Sequence, residues 1–278
     1  MATAPTALVT GATSGIGAAT AHRLHDRGYR VFAVGRNPAA LDDLRSRGLQ
    51  ARALDITDEP GVTALVAEIE AETGAGAIDV LVNCAGFPLT CPLEQVALAD
   101  LRDLFEANIV ATLHLSQAVL PAMRRRGSGT IVNIGSTGGR FASPGAGGYH
   151  VVKYGLEALS LSLRAEVAPF GVRVTLLDPT GVRTPFVTNQ LEAAPVYADD
   201  DPYAGFKRRY RESTRRLTET TGVMIGPDTV ARAVLKAVES RNPKPRYIVG
   251  ASGKATLLAR ALLTDRMWER VLMRDLRG

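Results

Sequence analysis

Residues 10–17 read Thr10-Gly11-Ala12-Thr13-Ser14-Gly15-Ile16-Gly17, and their reading decides the fold. An apolar run, Ala7 to Thr10, precedes them. From Ile16 to Arg27 the apolar residues Ile16, Ala19 and Leu24 recur at helical spacing. The order is therefore strand, glycine loop, helix. Such a loop lets backbone N–H groups approach a pyrophosphate at the helix N-terminus. The glycine spacing is GxxxGxG rather than the GxGxxG of the dinucleotide fingerprint. Three glycines also suit a plain turn, but between a first strand and its helix they favour nucleotide binding.

Outward from this loop, Gly28 ends the first helix and Val31 to Val34 form a second strand. Further strands are expected at Gln50 to Leu54, Val80 to Asn83, Thr130 to Ile134, Val172 to Leu177 and Tyr247 to Val249. Helices are expected between the second and third strands, at Glu59 to Glu72, and at about Ala99 to Arg126 with a kink at Pro121. Others are expected from Tyr149 to about Pro169, from Pro227 to about Ser240, and as two short helices between Lys254 and Arg274. Strands that alternate with helices, several of them apolar on both faces, imply a parallel sheet covered on each side. The predicted class is α/β, a three-layer Rossmann fold with a doubly wound parallel sheet of about seven strands and helices on both faces. No repeat or low-complexity linker divides the chain, which predicts one domain over residues 1–278. Within it, residues from about 185 to 225 are poor in apolar positions. They carry an acidic run (Asp199, Asp200, Asp201) and a basic run from Lys207 to Arg216, and form a candidate substrate lid. A C-terminal helical extension is expected at about 252–278.

Composition bounds the partners. Hydrophobic residues make up 46% of the 278 and charged residues 22%, the balance of a soluble globular protein. The net charge of +5 is weak support for nucleic acid, and aromatic content of 5% offers few base-stacking groups, so no nucleic-acid partner is expected. Cys84 and Cys91 make no CxxC and have no histidine cluster, which predicts free thiols in a reducing cytoplasm and no metal. The N-terminal residues do not read as a secretory signal, and no stretch reaches 18 apolar residues, so no transmembrane helix is expected.

The end of the second strand speaks to which dinucleotide binds. An acid there would meet the adenine ribose 2′-OH, and an arginine a 2′-phosphate. The strand ends Val34-Gly35-Arg36-Asn37. Arg36 is the candidate 2′-phosphate clamp, a role that suits its planar fork, and Ser14 could add a hydroxyl. A solvated turn residue is the plainer alternative for Arg36. NADPH is therefore expected over NADH.

Tyr149 and Lys153 are four residues apart, so a helix places them on one face. A free phenol titrates at about 10, and a neighbouring ammonium lowers that by roughly 1–3 units. The pair reads as a tuned general acid/base; the alternative is an exposed pair on an ordinary amphipathic helix. Ser136 follows the buried strand at 130–134, where ligands of parallel sheets gather. His22, His25 and His114 have no partners in sequence and read as surface or packing residues. On a helix the His150 side chain points about 100° away from that of Tyr149.

Together these residues resemble the short-chain dehydrogenase/reductase family. The likeness is carried by Thr10 to Gly17, Asp55 after the third strand, Asn83-Cys84-Ala85-Gly86, and Asn108 in the long helix. It continues through Ser136, Tyr149-His150-Val151-Val152-Lys153 and Pro179-Thr180-Gly181-Val182-Arg183-Thr184, over about residues 5 to 190. The resemblance implies a nicotinamide cofactor held by Gly11, Thr13, Ser14, Gly15, Ile16 and Gly17. Arg36, Asp55 and Ile56 would meet its adenosine end, and Asn83, Ala85 and Gly86 would line its path. Pro179, Val182 and Thr184 would flank the nicotinamide, with Thr184 on the carboxamide. Tyr149 would be the acid/base. Lys153 would lower the Tyr149 pKa and bind the nicotinamide ribose, Ser136 would orient the substrate oxygen, and Asn108 would position a water in the proton relay. Two departures stand out. The family's Pro-Gly after the sixth strand is here Pro179-Thr180-Gly181, with the glycine displaced or replaced, and its NNAG reads Asn83-Cys84-Ala85-Gly86.

The expected function is an NADP(H)-dependent oxidoreductase interconverting a secondary alcohol and a ketone, or an alcohol and an aldehyde. Residues 227–278 are similar to the branch containing hydroxysteroid and retinol dehydrogenases, which implies a hydrophobic substrate. The alternatives are a non-catalytic NADP(H)-binding sensor or scaffold, and an epimerase or dehydratase on the same fold. The resemblance implies a homodimer or homotetramer built through the long helix and the Tyr149 helix. The C-terminal residues Leu257, Leu258, Ala261, Leu262, Met267, Trp268, Val271 and Leu272, punctuated by arginines, suit a membrane surface or, as favoured here, packing over the substrate pocket or a neighbouring subunit.

Overall fold

The structure is a computed structural model and describes residues 4–73, 78–186, 200–220 and 224–274. Seven short strands form one sheet: β1 (Thr6–Thr10), β2 (Arg30–Gly35), β3 (Gln50–Ala53), β4 (Val80–Asn83), β5 (Gly129–Ile134), β6 (Val172–Pro179) and β7 (Arg246–Val249). Every pairing is parallel, in the order β3-β2-β1-β4-β5-β6-β7. The chain winds outward to β3, crosses back over β1 to β4, and continues to β7. The carboxyl ends of β1 and β4 therefore flank the switch point at which such sheets bind ligands.

The helices are α1 (Gly15–Asp26), α2 (Pro38–Ser46), α3 (Glu59–Thr73), α4 (Leu98–Phe105), α5 (Ala111–Arg126) and α6 (Gly147–Val167). They are followed by α7 (Ala204–Glu219), α8 (Pro227–Glu239), α9 (Ala251–Leu262) and α10 (Asp265–Met273). Successive strand residues face opposite sides of the sheet, and this builds two cores. Ala7 and Val9 of β1 pack with Leu24 of α1 and with Val230 and Val234 of α8. Leu8 of the same strand packs with Ile69 of α3 and with Leu115 and Met123 of α5 on the other face. Each such fully buried aliphatic side chain stabilises the fold by about 1.5–3 kcal/mol. The sheet class expected from the sequence is the class observed.

The long helix departs from expectation in one respect. It runs on through Pro121 within α5, and its irregularity lies earlier, in a π-turn at Glu106–Val110 between α4 and α5. A π-turn inserts one extra residue into the helical period, and here it delivers Asn108 to the interior, 2% exposed. α5 ends where expected, with Arg124, Arg125 and Arg126 against the helix dipole and Gly127 left-handed at φ +70°.

Of the expected lid, residues 187–199 and 221–223 lie outside the described residues, and α7 occupies the described middle. A carboxylate latches α7 to the loop before α4. Asp201 accepts hydrogen bonds from Gln95 Nε2 at 2.8 Å, Lys207 Nζ at 2.6 Å and the Tyr203 backbone at 2.9 Å. Tyr203 also donates to Glu94. The C-terminal helices pack inward. Gly253 sits against Thr137 and Thr180, and the Trp268 ring meets Phe141 edge-on at 5.7 Å. Among the described residues no helix is long and apolar enough to cross a membrane.

Candidate active site

The glycine loop is shaped by contact between the ends of β1 and β4. Gly11 has φ +64°, and a Cβ there would fall 2.9 Å from the Ala85 backbone. At Gly17 a Cβ would lie 2.1 Å from the Gly11 carbonyl oxygen, so the start of α1 rests directly on the turn. The Thr10 hydroxyl ties the two strand ends together by accepting the N–H groups of Cys84 at 3.1 Å and Ala85 at 3.2 Å. Ser14 is the N-cap of α1 but its side chain makes no capping bond, and the first turn holds no acid. The N–H donors and positive dipole end of α1 are thus available to a ligand, the donor set that a pyrophosphate needs. In this respect the residues present fit a dinucleotide.

A cleft of about 1010 Å³ runs from this loop along the carboxyl ends of the strands. Gly11, Thr13, Ser14, Gly15, Ile16 and Gly17 line one part of it, and Arg36, Asp55 and Ile56 line another. Ala85, Gly86, Ser136, Tyr149, Lys153, Pro179, Val182 and Thr184 line the remainder, so the fold brings together nearly every residue that the sequence singled out. Two side chains stand behind the lining. Asn83, expected along the cofactor path, is buried in the sheet and donates to Asn133 Oδ1 at 2.9 Å; Asn133 in turn donates to Ser160 Oγ at 2.8 Å. Its amide is used in joining β4, β5 and α6. Asn108 donates to the Leu104 carbonyl at 2.9 Å, with its Oδ1 against Gly86.

At the β2 end, Arg36 is exposed and its Nη1 lies 3.1 Å from Asp55 Oδ2. Asp55 sits below the ordinary carboxylate range. The Thr57 backbone N–H, 3.1 Å from Oδ1, is the largest cause, and the Thr57 hydroxyl and Arg36 add to it. A cation and an acid with its own partners therefore border the same corner of the cleft.

At the other end, α6 starts at Gly147, which puts Tyr149 in its first turn and Lys153 one turn on. Ser136 follows β5, its hydroxyl accepts the Gly138 N–H at 3.0 Å, and it lines the cleft together with Tyr149. The Lys153 ammonium is 5.7 Å from the Tyr149 ring centroid and donates to the Ile134 carbonyl at 3.2 Å. The expectation that Lys153 pulls the phenol down is corrected here. Burial pushes Tyr149 up to about 12, with the nearby Ser136 hydroxyl opposing. Desolvation likewise pushes Lys153 down to about 8, opposed by Cys84 and Asp178.

His150 has a role that its sequence position did not announce. Its side chain turns away from Tyr149 and braces the loop after Ser136. Nε2 accepts the Ser143 N–H at 3.0 Å, so the ring proton is on Nδ1, which donates to the Gly138 carbonyl at 2.7 Å. Burial lowers its pKa, in keeping with a neutral ring. The displaced glycine after β6 is resolved as well. Gly181 takes the left-handed turn at φ +47°, and Thr180 accepts a hydrogen bond from Thr137 at 3.1 Å.

A doubly wound sheet with a glycine turn before its first helix, and a serine, a tyrosine and a lysine at the far end of one cleft, has the architecture of a dinucleotide-dependent oxidoreductase. The chain belongs to the short chain dehydrogenase family, whose model matches residues 5–195. Human retinol dehydrogenase 5 is 33% identical over 280 residues, covering 95% of this chain and 86% of that protein. A short-chain dehydrogenase from Streptomyces avermitilis superposes with a TM-score of 0.81 at 32% identity, covering 98% of this chain and 96% of that one. A variant of actinorhodin polyketide ketoreductase crystallised with NADPH superposes with a TM-score of 0.76 at 31% identity, covering 91% and 99%.

Proposed function

We propose that this protein is an NADP(H)-dependent oxidoreductase that interconverts a secondary alcohol and a ketone on a hydrophobic substrate, with Tyr149 as general acid/base. One observation carries the reading: the Ser136, Tyr149 and Lys153 side chains line the same cleft that the glycine loop enters, with the ammonium 5.7 Å from the phenol ring centroid. When bound, a nicotinamide supplies or accepts the hydride. The chain's own groups handle the oxygen. Ser136 and Tyr149 can both donate to a carbonyl oxygen placed between them, which orients and polarises it. Negative charge then develops on that oxygen, and the phenol hands over its proton. A phenol near 12 keeps that proton at neutral pH and still yields it to an alkoxide, a far stronger base, which favours the reductive direction. The Lys153 ammonium in the same pocket offsets the charge left on Tyr149.

The substrate end of the cleft is apolar. The Phe186 ring lies 5.8 Å from that of Tyr149, and Phe87 and Pro88 line the wall beside them. These contacts, and the likeness to a retinol dehydrogenase, support a hydrophobic substrate. Arg36 at the end of β2, where an acid would select NADH, supports NADPH, as does the NADPH in the similar ketoreductase structure. Residues 1–278 act as one domain in this reading, with the region around α7 as lid. Exposed Phe105, Val151, Tyr154 and Leu161 on α4 and α6 support a homo-oligomer through those helices.

The test is Tyr149→Phe, assayed by NADPH consumption against a panel of apolar ketones. The variant should bind NADPH as the wild type does and lose turnover by about 10²–10⁴-fold, the contribution of a positioned proton donor. Retention of most of the rate overturns the role given to Tyr149. A wild-type protein that binds NADPH and turns over no carbonyl points instead to a non-catalytic binder.

A further inference from the structure

Behind Ser136 lies a set of ionisable groups that the chemistry above does not use. Asp178 of β6 is 1% exposed. Its Oδ1 presses on Gly135, the residue before Ser136, where a Cβ would fall 2.3 Å away. Its Oδ2 stands 3.3 Å from Nε of Arg246 on β7. Neither of those two atoms has a hydrogen-bond partner among the described residues, so the pair is held by charge. The far side of the Arg246 guanidinium pairs with Glu157 of α6. Residues 149, 153 and 157 are spaced by four, so Glu157 continues the helix face that carries Tyr149 and Lys153.

We infer that Asp178, braced by Arg246 and Glu157, is a positioning residue that sets the Ser136 loop against the Tyr149–Lys153 face of α6. The inference rests on the roles proposed above for those three residues. A buried ion set is a poor way to fill space, because apolar residues of like volume serve stability as well or better. What it supplies is direction. The carboxyl packs against Gly135 and so fixes the backbone that leads into Ser136, from which the hydroxyl projects. Arg246 and Glu157 carry that constraint across β7 to the helix bearing the proton donor. The Asp178 carboxyl and the Lys153 ammonium also act on each other by charge. The other charged or titratable groups that bear on Asp178 are Arg140, Arg246 and Tyr149, with Glu157 behind Arg246.

The experiment is Asp178→Asn in the full chain. Amide hydrogen exchange is followed over residues 135–140 without cofactor, and kcat, KM and NADPH affinity are measured alongside. Exchange over 135–140 should accelerate while β5 is unchanged. NADPH affinity should hold, and kcat should fall by about 10–100-fold, as for a misplaced catalytic group. A pH profile separates positioning from bracing. Burial holds Asp178 up at about 7, so the wild-type rate should fall as pH drops below that value and the carboxylate takes up a proton. The substituted amide cannot titrate, so that limb should vanish into a low, flat rate. Should Asp178→Asn not fold, Glu157→Gln at the more solvent-accessible end should give the same changes at smaller size. Unaltered exchange over 135–140 overturns the inference, and so does altered exchange with unchanged kcat. A wild type without turnover sinks the proposed function instead; exchange then decides alone, acceleration in the variant supporting the inference and no change overturning it.

Discussion

Tyr149 and Lys153 are driven apart in pKa by one cause, the removal of water, the phenol up to about 12 and the ammonium down to about 8. At neutral pH both groups therefore hold their protons, as a reductase requires, with a neutral acid beside a cation. The sign of the pH dependence follows. Lys153 is a base with a lowered pKa, so it is charged below about 8 and neutral above. Reductive turnover should fall as pH rises through about 8, well before the phenol itself titrates. Lys153→Arg removes the titration, because a guanidinium keeps its charge throughout this range. Its kcat should be lower than that of the wild type at pH 7 and should show no alkaline limb there. Profiles of kcat against pH for the two proteins check this, and an unchanged limb in Lys153→Arg would assign it to another group.

The elements that bear these residues differ in how openly the sequence declares them. β1, β4 and β5 are buried on both faces, so each reads as an apolar run, and the loop from Gly11 to Gly17 reads as a turn between strand and helix. Tyr149 and Lys153 are legible because helix spacing alone puts them side by side. The π-turn at Glu106–Val110 is not, because one added residue leaves the flanking apolar pattern almost intact. Neither are contacts that link distant segments. The Thr10 hydroxyl meets residues more than 70 positions away, and Arg246 reaches α6 from the last strand. Their residue types are ordinary, and only the fold pairs them. His150 is the same kind of case at shorter range, and its effect is testable. His150→Ala strands the Gly138 carbonyl and the Ser143 N–H, each stripped of its partner. Unpaired buried groups cost about 1–3 kcal/mol, and for a domain of this size each kcal/mol is about 2–4 °C. The melting temperature should fall by several degrees and KM for the ketone should rise, while NADPH affinity holds. Calorimetry and steady-state kinetics on one preparation report both.

Across the whole molecule, the cleft draws on almost every part of the sheet. The glycine loop follows β1, the Arg36 corner lies at β2 and β3, Gly86 follows β4, and the acid/base end stands over β5 and β6. A ligand along its length joins the two wings of the winding on either side of the switch point, so its binding free energy appears as stability of the whole sheet. A ligand that binds the folded state alone stabilises it by about 2.7 kcal/mol at a hundredfold excess over Kd. At about 2–4 °C per kcal/mol, saturating NADPH should raise the melting temperature by several degrees. The rise should persist in Tyr149→Phe, which leaves the phosphate and adenosine contacts in place. It should shrink in Arg36→Ala, where a charge-assisted contact worth about 1.5–3 kcal/mol is lost. NADH lacks the 2′-phosphate, so at equal concentration it should shift the wild type less than NADPH and should not distinguish wild type from Arg36→Ala. Melting curves of the three proteins with each nucleotide make the comparison. Equal shifts from NADPH and NADH in the wild type would mean that the Asp55 carboxylate, 3.1 Å from Arg36, keeps that guanidinium for itself and that the β2 corner does not choose between the two cofactors.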